Sequence, residues 1–143
     1  MFLKIILFLI SILTSNFLNS QSLELKKEFT ITKKLYKENR FNDALKSNEK
    51  AIILSHKEFG KEHLTTATLL ENKGRLLLEI KKFNKAEAIF RNVYQIREKV
   101  INRNHPDIAD VLNYLALSLR FQDKLDESIV IHNKVLTIMG NVI

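Results

Sequence analysis

Four histidines are the residues of this chain best suited to chemistry: His56, His63, His105 and His132 offer imidazoles for metal ligation or proton transfer. A zinc ion holds its ligands at about 2 Å. His63 and His105 stand 42 residues apart at matching places of a repeat, and matching atoms of stacked helices lie about 10 Å apart. His56 and His132 have no acidic or histidine neighbour one helical turn away. With no cysteine in the chain, thiolate sites, disulfides and cysteine nucleophiles are excluded. Asp107 and Asp110 share a helix face, where the dipole of a helix start accounts for them. There is no Gly-rich phosphate loop and no nucleophile elbow. Nine basic residues against four acidic ones between 71 and 105 raise nucleic-acid binding, which an exported chain would rarely meet. These residue types predict no enzyme, no cofactor, no metal and no nucleic-acid partner.

The elements that carry these residues repeat. Comparing 41–101 with 83–143 gives fourteen identities in sixty-one pairs, at a fixed offset of 42. Phe41 recurs as Phe83 and Leu125, Ala44 as Ala86 and Ser128, Leu35 as Leu77 and Leu119. Such a period marks stacked units, each unable to bury its apolar face alone. Three glycines and one proline in 143 residues favour long helices. The spacing predicts an all-α fold, an α-solenoid of three antiparallel helix pairs. The first helix of each pair is expected near 23–38, 64–80 and 107–121, the second near 42–57, 84–101 and 125–139. Asn42, Asn84 and Asp126 are expected as N-caps, with Asn84 and Glu87 forming a capping box. Gly60 and Asn102 are expected in the left-handed conformation that ends a helix, and Pro106 at a helix start. Small residues at Thr32, Gly74 and Ala116 face Ala44, Ala86 and Ser128 across each pair, and Phe41, Phe83 and Leu125 fill the turns.

Gly74–Leu77–Phe83–Ala86 and Ala116–Leu119–Leu125–Ser128, with Thr32–Leu35–Phe41–Ala44, resemble the tetratricopeptide repeat. The 42-residue period, His105-Pro106, Ala109 and Leu112-Asn113-Tyr114-Leu115-Ala116 resemble its kinesin-light-chain type; His63, Ala67, Leu70 and Asn72 match a worn copy. The resemblance implies a right-handed superhelix with units at about 23–60, 64–102 and 107–140. It also implies that the first helix of each pair lines a concave surface. That surface would carry Lys26, Phe29, Lys33, Tyr36 and Lys37, then Thr68, Glu71, Arg75, Leu78 and Glu79. The third unit would add Asp110, Asn113, Leu117, Arg120 and Phe121. Five basic residues among aromatics suit a protein or extended peptide of acidic character.

Residues 1–22 differ in kind. Lys4 precedes the apolar run Ile5–Leu13, and polar residues follow up to Gln21, the layout of a signal peptide. The repeat domain then occupies 23–143, exported to a periplasm or secreted, with cleavage expected after Ser20. The alternative is an inner-membrane anchor, in which membrane contact runs through residues 2–18 alone. The leading reading is an exported scaffold without catalysis. Other readings are the extracytoplasmic sensory part of a larger signalling regulator, or an accessory to a secreted peptidase. The last helix holds more apolar residues than one face hides, so self-association through 125–143 or continuation into more repeats is expected.

Overall fold

The computed structural model describes residues 22–140, so the signal or anchor segment, and Asn141 to Ile143, lie outside the described residues. Six helices follow one another: α1 (22–37), α2 (Phe41–Glu58), α3 (Leu64–Glu79), α4 (Phe83–Val100), α5 (Pro106–Arg120) and α6 (Leu125–Gly140). No strand occurs among the described residues. From α2 onward each helix packs on its neighbours in the chain, and α3 also reaches α5. These are the stacked antiparallel pairs of an α-solenoid, within one or two residues of the expected bounds.

The turn inside each pair has a common mechanism. Asn39, Lys81 and Asp123 adopt left-handed backbone at φ 59°, 59° and 58°. In the first, the Asn39 N–H donates to the Tyr36 carbonyl (3.0 Å) and the Arg40 N–H to that of Leu35 (2.9 Å). Lys81 and Lys82 repeat this on Leu78 and Leu77, as do Asp123 and Lys124 on Arg120 and Leu119. This pair of bonds is the Schellman closure, which satisfies carbonyls left over at the helix end. The next helix then starts one residue earlier than expected, at Phe41 and Phe83. Asn42 and Asn84 therefore lie inside the first turn, the flanking Arg40 and Lys82 make no side-chain cap, and no capping box forms. Asp126 is likewise inside α6.

Between pairs the closures differ. Gly60 takes φ 90° as expected. Asn102 does not: α4 ends in extended backbone at Ile101, and the Asn102 side chain accepts from the Asn104 N–H (3.0 Å). The following helices are capped by His63 and His105, whose Nδ1 atoms accept from the Thr65 (3.1 Å) and Asp107 (3.2 Å) amides. Pro106 opens α5, where its missing N–H costs nothing.

One core runs through the stack, built on Phe90, Val93, Leu112, Leu115 and Leu119 with Leu70 and Leu77. Gly74 packs closely against Phe90: a Cβ on Gly74 would stand 2.5 Å from the ring's Cε1. The first unit replaces that phenylalanine by Asn48, fully buried, which donates Nδ2 to the Leu69 carbonyl (2.9 Å). At the turns Phe41 meets Tyr36 edge-on (5.5 Å) and Phe83 stacks on Phe121 (4.8 Å). Leu125 instead stays 53% exposed, so it fills no gap. Among the described residues no helix is long and apolar enough to cross a membrane.

Candidate functional site

The first helix of each pair, α1, α3 and α5, presents residues to a continuous line of three clefts. The first holds about 380 Å³ between α1 and α3, lined by Phe29, Lys33, Tyr36 and Lys37 from one side and Thr68, Glu71 and Arg75 from the other. The second, about 410 Å³, is bounded by Tyr36, Arg75, Leu78, Glu79, Leu117 and Phe121. The third, about 450 Å³, takes Asn113, Leu117 and Arg120 with Ile129 and His132 of α6. All ten residues singled out from the sequence, Lys33, Tyr36, Lys37, Glu71, Arg75, Leu78, Asn113, Leu117, Arg120 and Phe121, line one of the three. Lys26 lies at another cleft, with Phe59, and Asp110 is exposed and lines none of the three.

Helix spacing explains the line. Residues 29, 33, 36 and 37 fall on one face of α1, and the 42-residue offset puts their counterparts on the same face of α3 and α5. Across the middle, the Arg75 guanidinium lies between two rings, 5.6 Å from the Tyr36 centroid and 5.4 Å from that of Tyr114. Lys33 sits over Phe29 at 5.2 Å. Each such contact contributes about 0.5–1 kcal/mol at a half-exposed place, enough to hold a side chain's position without burying its charge. The Tyr36 hydroxyl donates to Glu79 Oε1 (2.8 Å). Burial raises the Tyr36 pKa, the Glu79 carboxylate adds to it, and the phenol stays a donor.

The charges of the groove are unevenly satisfied. Glu71 is taken up by Arg97, a 5% exposed residue that also donates to the Asp107 carbonyl (3.0 Å). Lys33, Lys37, Arg75 and Arg120 of the groove, like Lys26 at its neighbouring cleft, enter no ion pair among the described residues. Glu79 of the second cleft, which accepts only from Tyr36, enters no ion pair either and offsets one of them, so the line of clefts keeps a net positive charge interleaved with rings. Among the described residues no three His, Asp or Glu side chains converge as a metal site would require.

Sequence reasoning missed Tyr114, which grips Arg75 from the α5 side and stacks on Phe90 at 5.5 Å. Its signal was present: Tyr114, Leu117 and Phe121 step by three and four along one helix face. It missed too that α6 enters the third cleft, since the site residues were drawn from the first helix of each pair alone.

The sequence profile of the tetratricopeptide repeat matches residues 35–99 and 79–141. No curated protein matches the sequence. Among solved structures, BtubC (BKLC) from P. vanneervenii superposes with a TM-score of 0.74 at 21% identity over 78% of this chain and 44% of its own. Nearly identical TPR-like repeats assigned to a kinesin light chain of Podosopora anserina give 0.75 at 15% identity, covering 83% of this chain and 56% of theirs. At such identities the likeness is one of fold. The chain spans about half the length of these relatives.

Proposed function

The chain belongs to the tetratricopeptide repeat family, and from that premise we propose that it is an exported, non-catalytic scaffold whose groove holds an extended acidic peptide. Stacked repeats of this family present such surfaces to proteins and peptides. The observation that carries the acidic preference is the set of four groove cations, Lys33, Lys37, Arg75 and Arg120, without an ion pair among the described residues, beside a Glu71 already bound by Arg97. The rings of Phe29, Tyr36, Tyr114 and Phe121 supply apolar contact between those charges. Export rests on Lys4 and the apolar run after it; mass spectrometry of the protein from its natural host should find a chain beginning at or near Gln21.

Fluorescence anisotropy of labelled twelve-residue peptides tests the groove. A Glu/Ser peptide should bind and release as salt rises, since exposed charges are screened, while a Lys/Ser peptide should not bind. Lys33→Glu combined with Lys37→Glu should abolish the binding with the fold intact by circular dichroism. Equal binding of both peptides, or binding untouched by the double variant, would overturn the reading.

A further inference from the structure

The groove continues past its first cleft. A further cleft of about 390 Å³ opens between the N-terminal halves of α1 and α3, where the buried Leu25 and Leu69 meet Phe29 and the 40% exposed Phe59. Thr65 and Thr68 stand along its α3 side. The two clefts share Phe29 and Thr68, and both take residues of α1 and α3 in rising order. They therefore follow one seam between two helices that run the same way.

The same place one unit on is occupied. Shifted by 42, Phe29 becomes Glu71, Thr65 becomes Asp107 and Ser55 becomes Arg97. There the Arg97 guanidinium binds the Glu71 carboxylate and donates to the Asp107 carbonyl (3.0 Å), which ties α4 to α3 and to the start of α5. In the first unit the short Ser55 meets Thr66 instead (2.7 Å), and the ring of Phe29 stands where the next unit has its carboxylate. Hydrocarbon walls around an open space thus take the position of an ion pair.

Those walls select what fits. A cation finds no counter-charge, because the one charged residue among the described residues lining the cleft is Lys26. Lys26 is exposed and enters no ion pair among the described residues. A carboxylate can meet Lys26 at the rim, but deeper it would lie against hydrocarbon, which costs it its hydration. An apolar side chain gives up its surface to Leu25, Phe29, Phe59 and Leu69 at no such cost. Acidic residues farther along the same chain then reach Lys33 and Lys37 of the first cleft. Along α1, residues 26 and 33 are about 10 Å apart at about 1.5 Å per residue. An extended peptide covers that in about three residues.

We propose that the acidic peptide of the groove, on whose binding this rests, also carries a leucine-sized apolar side chain about three residues from its acidic positions, and that the cleft beside Phe59 receives it. Fluorescence anisotropy with labelled peptides tests this apart from the acidic preference. The first peptide has a Glu pair in a serine background. Two more add a leucine three residues to one side of the pair or to the other, and a matching two carry asparagine in its place. One leucine peptide should bind the wild type about tenfold more tightly than the serine peptide, while neither asparagine peptide gains. Phe59→Ser should bring that leucine peptide back to the affinity of the serine one. Ile53→Ser is the control, because Ile53 is exposed on α2 and lines none of these clefts; it should leave the gain in place. Equal binding of the leucine, asparagine and serine peptides to the wild type would overturn this proposal and leave the acidic groove standing. A gain that survives Phe59→Ser would place the leucine elsewhere and overturn it as well. Binding of none of the peptides would overturn both readings.

Discussion

Gly74 and Phe90 show how far a single column of the repeat is specified. The ring of Phe90 is fully buried and approaches α3 so closely that only a residue without a side chain fits at Gly74. Gly74→Ala would gain up to about 1 kcal/mol of helix propensity. It would also overpack a rigid site, which costs about 1–3 kcal/mol. The clash wins because the atom in the way belongs to a ring held on all sides. Chemical denaturation should therefore show Gly74→Ala less stable, by about 1 kcal/mol. Phe90→Leu should cost less in that background than in the wild type; fully additive losses would mean the two residues are not in contact. The spacing announced a small residue at Gly74, Thr32 and Ala116, but not that the column of Phe90 would hold a buried Asn48 in the first unit and an exposed His132 in the third. Partner identity is decided by which helix lies over the column.

At the scale of the element, the turns within each pair depend on three left-handed residues. Asn39 and Asp123 tolerate that backbone through short polar side chains, whereas Lys81 has no such compensation. Lys81→Gly should stabilise the protein by about 0.5–1 kcal/mol, the left-handed strain relieved less the extra chain entropy of glycine. A lower melting temperature in this variant would show that the lysine side chain contributes something the backbone account omits. These closures also explain why caps expected at Asn42 and Asn84 do not form. A left-handed residue followed by a bonded amide brings the chain into the next helix one residue sooner, so both asparagines enter its first turn. Helix positions were readable from the apolar period, since it reflects burial. Caps depend on local backbone geometry that several sequences satisfy equally.

The whole molecule is joined across its units by a few polar contacts, of which Glu87 is the most connected. From α4 it accepts from Gln122 (2.9 Å) and Lys124 (2.8 Å) in the turn before α6, and from Arg91, which also binds Glu127. Burial pushes its pKa up, but the bonds from Lys124, Arg91 and Gln122 outweigh that and hold it down from 4.5 to about 2. A carboxyl depressed on folding contributes stability above its unfolded pKa and loses it as protons bind the native state. The joint between the second and third units should therefore weaken as pH falls from about 4.5 to about 2. Glu87→Gln should flatten that part of the stability curve while lowering stability at pH 7. Identical acid limbs in both proteins would show that the joint does not depend on this carboxylate.

Much of this was written in the chain itself. A 42-residue period with Phe, Ala and Leu columns already requires stacked helix pairs, because no unit can hide its apolar face alone. It also places Lys33, Tyr36, Arg75, Leu117 and Phe121 on one side, because helical periodicity is a local property. Tertiary structure decided the rest. Which groove cations lack an ion pair depends on Arg97 reaching Glu71 from another helix, a distance that no spacing encodes. That Leu136 and Met139 stand open while Ile52 and Ser55 are covered follows from what stacks on each helix, and burial belongs to the assembled stack rather than to any residue in it.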